Sequence, residues 1–216
     1  KELIKFDSKG EFTSRLIESE NDKIKVIALS SKHISKEQLL SSLENPSNSV
    51  QEIALKQLKL VNQKISDKKL SKLIDGGVDP LAVVSFSVEN SGDTMIKLAN
   101  HPNSKVRKNM VEILKDKCKS SNDESIKLLI ENKCYSVIGR WLQGKRDETS
   151  DKLRWEIIEN ENVDEIERSR LLERLIGRCN EPEIVMKSEE LLNSTTSQLL
   201  KITAHNLSTA GNTREL

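Results

Sequence analysis

The chain has 216 residues, of which 32% are charged, yet the charges almost cancel to a net +1. No global field therefore draws it onto nucleic acid or an anionic membrane, and no apolar run approaches the ~18 residues a membrane-spanning helix needs. With 3% aromatic residues, 8 glycines and 4 prolines, the composition argues against a β-sandwich or barrel and fits short helices packed through Leu, Ile, Val and Ala.

Taken in order, the apolar runs form a ladder: SRLIES, SSLENP, SKLIDG, IKLANH, KLLIEN, WEIIEN and EELLNS. Each closes the first helix of a predicted pair. The anchors are Leu16, Leu43, Leu73, Leu98, Leu129, Ile157 and Leu191, separated by 27, 30, 25, 31, 28 and 34 residues. Seven to eight residues after each anchor an aliphatic residue opens most of the second helices, namely Ile24, Val50, Leu81, Val106, Val137 and Leu199; Ile166 comes a residue later. A pair this short cannot cover its own apolar stripe and needs a neighbour of the same kind on each side.

Start signals support the same parsing. Ser8-x-x-Glu11, Ser35-x-x-Gln38 and Ser121-x-x-Glu124 have capping-box spacing ahead of first helices, and Ser49-x-x-Glu52 ahead of a second. Asp79-Pro80 sets a capping residue before a proline at the first helical position. Loops such as Asn45-Pro46-Ser47, Asp75-Gly76-Gly77 and Asn90-Ser91-Gly92 are short, which favours antiparallel neighbours. The third pair is the most apolar, and LAVVSFSV from Leu81 to Val88 reads as a central helix rather than a strand. The clearest pair spans Leu98 to Leu114. There Val106, Met110, Ile113 and Leu114 share one helical face, Pro102 stops the preceding helix, and Asn103 or Ser104 caps the next. The sixth pair, Asp151 to Arg178, is densely charged and expected to be the most exposed. From Asn206 to Leu216 the chain is polar without periodicity and is expected to fray.

The segments ISKEQLLSSLENPSNSVQEIALKQL and SGDTMIKLANHPNSKVRKNMVEIL resemble units of the leucine-rich repeat variant family and, more broadly, HEAT-like repeats. In those, a short helix with paired leucines precedes an Asp/Asn/His-Pro corner and a "V-R" helix. The second and fourth units match well, the others in pattern. The resemblance implies an all-α, right-handed solenoid of about seven irregular helical pairs over residues 1–205, followed by a polar tail over 206–216. Function stays open, because such scaffolds serve many ends.

An enzyme needs a constellation, and none emerges. His33, His101 and His205 fall in different pairs, so no Ser/His/Asp or Cys/His arrangement forms. Cys118, Cys134 and Cys179 make no CxxC pair, so no metal and no cofactor is indicated, and packing thiols in a reducing, cytoplasmic compartment are the expectation. In size and architecture the chain also resembles the alkylpurine DNA glycosylases, which set Trp and Arg side chains with a catalytic Asp on a basic concave face. Here Lys145 stands four residues after Trp141 and Glu159 four after Trp155, so the expected Asp is missing. In KLRWEII, Trp155 alternates with Leu153, Ile157 and Ile158 as packing.

Early in the later second helices lie Arg107 and Lys108, then Arg140, Arg168 and Lys201, and Lys145, Arg146, Lys152 and Arg154 extend the series. These residues suggest an anion-binding groove for phosphate or an acidic peptide. Glu156, Glu159, Glu161, Asp164, Glu165 and Glu167 crowd the same region, and a mixed solvated face with intrahelical ion pairs is the plainer expectation. The reading is thus a noncatalytic protein-interaction scaffold with Arg107, Lys108, Arg140, Trp141 and Arg168 as candidate contacts. Its expected partner is another protein or an acidic peptide. Nucleic-acid binding or repair chemistry on the same face is the alternative.

Overall fold

The structure, a computed structural model, describes residues 10–87 and 92–212. Among these residues fourteen α-helices and one 3₁₀ turn are joined by short loops, with no strand. They fall into two compact units, Lys1–Ile113 and Leu114–Leu216. No helix is long and apolar enough to cross a membrane among the described residues.

In the first unit α1 (Glu11–Ile17) packs on α2 (Asp22–Leu29), α3 (Lys36–Ser42) on α4 (Asn48–Leu60), and α5 (Asp67–Asp75) on α6 (Pro80–Ser87). The second helices form a row, α2 against α4 and α4 against α6, while α7 (Asp93–Ala99) lies against both α5 and α6. Next comes α8 (Ser104–Lys117), whose last residues belong to the second unit. Anchors Leu43, Leu73 and Leu98 are all buried, whereas Leu16 is half-buried. At Leu81 the expected ladder slips: this residue is exposed, and Val83, Val84 and Phe86 face inward instead. The helix starts at Pro80, with Asp79 Oδ1 accepting from the Leu81 N–H at 3.0 Å, so its first turn points away from the core. Val88, Asn90 and Ser91 lie outside the described residues, as does Ser8 of the first expected capping box.

Capping chemistry fixes several starts. Ser35 and Gln38 form the full reciprocal box of α3. The box expected at Ser49 is not formed, because α4 starts two residues earlier with Ser47 at its N-cap. At the central corner Asn103 Oδ1 accepts from the Lys105 N–H at 2.9 Å. A link between successive pairs is supplied by Asp67, whose carboxylate accepts from the Asp93 and Thr94 N–H groups at 3.0 and 3.1 Å. One helix of a pair thereby caps α7 of the next. A Cβ at Gly92 would stand 2.6 Å from that carboxylate, so any larger residue there would push the capping side chain aside.

In the second unit α9 (Glu124–Glu131) packs on α10 (Tyr135–Trp141), α11 (Glu148–Glu159) on α12 (Glu165–Glu173), and α13 (Pro182–Ser194) on α14 (Gln198–Asn212). Again the second helices adjoin, α10 to α12 and α12 to α14, and a 3₁₀ turn, Ile176–Arg178, follows α12. Leu129, Ile157 and Leu191 are buried, while Ile166 is exposed and Val163, just before the helix, takes the inward place. Ser121 does not cap α9, whose N-cap is Asp123. The polar stretch after Asn206 is not a tail as far as residue 212. Leu200, Ala204 and Leu207 are buried at i, i+4 and i+7, and this stripe carries α14 to Asn212; residues 213–216 lie outside the described residues.

Candidate anion-binding pocket

The charged sixth pair does not behave as a solvated face. Arg154 and Arg168 are 3% and 7% exposed, and each caps a helix end. Arg154 Nη2 donates to the Leu142 and Lys145 carbonyls at 3.0 and 3.2 Å, where α10 stops, and Arg168 Nε donates to the Ile158 carbonyl at 2.6 Å, where α11 stops. Such carbonyls have no helical partner, and a cation satisfies both their hydrogen bonding and the helix dipole.

Around Arg154 a turn is assembled. Trp141 is wholly buried, its Nε1–H donating to the Cys118 carbonyl at 3.2 Å, and Lys145 Nζ sits 4.2 Å from the ring centre. Lys145 also donates to the Lys119 carbonyl at 2.9 Å. Gly144 turns the chain between them at a φ of 84°, a left-handed value glycine tolerates without strain. Asp147 then caps α11 through Ser150.

The acid at the centre is Asp151. Arg154 Nη1 pairs with it, and Arg178 donates to both its oxygens at 2.7 and 2.9 Å. Arg178 also pairs with Glu181 at 2.8 and 2.5 Å. Burial alone would raise the Asp151 carboxyl, but the hydrogen bond from Arg178 and the charges of Arg154 and Arg178 outweigh it and hold the group below its ordinary range. Hydrogen bonds to Glu181 and Asp151 raise the Arg178 guanidinium in turn. Arg174 differs. Its Nη1 is buried without a hydrogen-bond partner among the described residues, and burial, then the nearby charge of Arg140, lowers its pKa. A Cβ at Gly139 would come within 2.7 Å of that nitrogen, so the glycine lets the guanidinium lie against α10.

These groups border one cavity of about 130 Å³, lined by Gly139, Gln143, Gly144, Lys145, Arg146, Arg154, Arg174, Leu175, Gly177 and Arg178. Five of the ten carry positive charge. A larger cleft of about 630 Å³ adjoins it through Arg146 and Arg178 and is rimmed by six carboxylates against four cations. Trp155 and Glu159 both border that cleft. Trp155 is 2% exposed and packed, with Nε1 unpartnered among the described residues, and Glu159 is exposed.

The candidate contacts are thus dispersed. Trp141 and Arg168 are interior residues with backbone partners, and Arg140 is half-buried beside Arg174. In the first unit Arg107 donates to the His101 and Pro102 carbonyls, bracing its own corner, and Lys108 is exposed. Lys145, Arg146 and Arg154 do converge. Arg174 and Arg178 were missed by sequence reasoning, although Arg170, Arg174 and Arg178 recur every fourth residue, a spacing that aligns them on one helical face. No family model, curated protein or solved structure matches the chain.

Proposed function

We propose that the protein is a noncatalytic interaction module built of helical-pair repeats of the α-solenoid kind, and that its second unit holds an acidic segment of a partner protein. The observation that carries this reading is the cavity where α10 and α12 end, with five cations on its wall. Asp151 and Glu181 answer two of them, which leaves an excess of three. A nucleic-acid backbone suits the surface less well. It needs a run of phosphate contacts, and the neighbouring cleft presents more carboxylates than cations to it. An acidic peptide places its charge locally.

The test is fluorescence anisotropy with labelled Asp/Glu-rich peptides and a neutral scrambled control. Arg146→Glu with Arg174→Glu should weaken binding by roughly 10-fold or more, since losing a buried charge contact costs about 2 kcal/mol or more. Arg107→Glu with Lys108→Glu serves as a comparison in the first unit. If no acidic peptide binds, or if reversal at Arg146 and Arg174 leaves affinity unchanged, the reading is wrong.

A further inference from the structure

Resting on that reading, we propose that the cavity bordered by α10, α11 and α12 receives one phosphomonoester dianion, carried by a phosphorylated serine or threonine of the partner. Its size points to a small group. At about 130 Å³ it is well below the ~300–1,000 Å³ of sites that enclose whole small molecules.

Charge favours a small anion, and the number of donors selects among anions. Five cations against Asp151 and Glu181 leave an excess of three. The C-termini of α10 and α12 each contribute about half a negative charge, and Asp147 acts on Lys145 and Arg154 from the next turn, which brings the excess to about one. Farther out, Arg140 and Arg170 repel Arg174 while Glu167 and Glu173 attract it, two charges of each sign. A phosphomonoester carries about −1.5 to −2 at neutral pH. A carboxylate offers two acceptor oxygens and a phosphodiester two free ones, whereas a phosphomonoester offers three to the five cationic side chains of this wall.

The donors are set before any ligand arrives. Arg154 and Arg178 are held by Asp151 and Glu181, so little side-chain freedom is lost on binding. Arg174 lines the cavity with Nη1 packed against Gly139 and without a hydrogen-bond partner among the described residues, so this guanidinium is not fully satisfied by protein acceptors. At Gly144 and Gly177 no atom lies within 4 Å of where a Cβ would stand, so the wall there is open to an incoming group.

The test is a ¹H–¹⁵N NMR titration of the full chain with inorganic phosphate and with acetate, then with one peptide in phosphoserine, glutamate and serine forms. Phosphate and the phosphoserine peptide should shift the Gly139, Gly144 and Gly177 amides saturably, and the glutamate form should bind at least 10-fold more weakly. Arg174→Met removes the unpartnered guanidinium and should cut phosphoserine affinity at least 10-fold while thermal stability holds or rises. Gly177→Asp places a carboxylate in the open space, retains every cation, and should abolish binding; it decides the matter should Arg174→Met fail to fold. Lowering the pH from 7.5 to 5.5 crosses the second phosphate ionisation near ~6 and should weaken binding several-fold. Asp151 and Glu181, both held below the ordinary carboxylate range, stay ionised throughout. Equal binding of the phosphoserine and glutamate peptides, both lost in Gly177→Asp, would overturn the phosphate assignment and leave the acidic-partner reading standing. No response to any anionic peptide would overturn both. Equal shifts of the same amides by an oligonucleotide without a terminal phosphate would show diester binding and overturn the dianion assignment.

Discussion

Asp151 concentrates the electrostatics of the second unit in a single side chain. It answers two guanidinium groups, one of them 3% exposed, so its loss strands charge in the interior. At pH 7, Asp151→Asn should destabilise the fold by about 3–5 kcal/mol, the usual consequence of breaking a buried pair. The sign with pH follows from the depressed carboxyl. Stability from such a group is fully present above its unfolded pKa of about 3.9 and is lost as pH falls through the lower folded value. Urea unfolding of both proteins should therefore show a wide gap at pH 7 that narrows below pH ~4. A gap that is absent at pH 7, or that persists undiminished at pH 2, contradicts this account.

Helix starts show how one local pattern meets two outcomes. Ser35 and Ser121 stand in the same S-x-x-E/Q spacing, yet Ser35 caps α3 whereas α9 has Asp123 at its N-cap position without a side-chain capping bond, and Ser121 Oγ is buried without a partner among the described residues. Ser35→Ala should cost about 1 kcal/mol by thermal or chemical denaturation, and Ser121→Ala should cost nothing or stabilise. Equal losses at the two sites would refute the assignment. Between pairs, Asp67 caps α7 from another helix and Lys97 ties together Ser71, Asp75 and Asp93. Asp67→Ala should cost about 0.5–2 kcal/mol, with the first loss of amide protection at Asp93 and Thr94. Unchanged exchange there would mean that the link contributes little.

Taken whole, the chain carries almost no net charge, so any attraction it exerts is local. At about 150 mM salt, binding to random-sequence duplex DNA should be no tighter than the ~10⁻⁴–10⁻⁶ M of nonspecific association. Nanomolar DNA affinity with a steep salt dependence would instead favour a nucleic-acid partner. Within each unit the second helices adjoin one another, α2 with α4 and α6 in the first, α10 with α12 and α14 in the second. This places the loops after α10 and after α12 beside each other, and the cavity forms where they meet.

Helix positions were legible from residue order because they depend on near neighbours. Apolar side chains three and four apart must share a face, Pro102 must stop a helix, and Asp79-Pro80 must start one, wherever the chain goes next. Six of the seven anchors accordingly fall within helices, and Leu43 stands at the C-cap of α3. The fate of the charges was not legible in this way. Arg178 meets an aspartate 27 residues away, Arg168 meets a carbonyl 10 residues back, and Trp141 meets one 23 residues back. Nothing in the spacing of these residues states such partnerships. A cation near others in sequence is a solvated surface group, a helix cap or a pocket wall according to which carbonyl or carboxylate the packing of other helices brings within about 3 Å. Local period sets most of the apolar stripe, with Leu81 and Ile166 left exposed; a charge is disposed of only when distant segments have met.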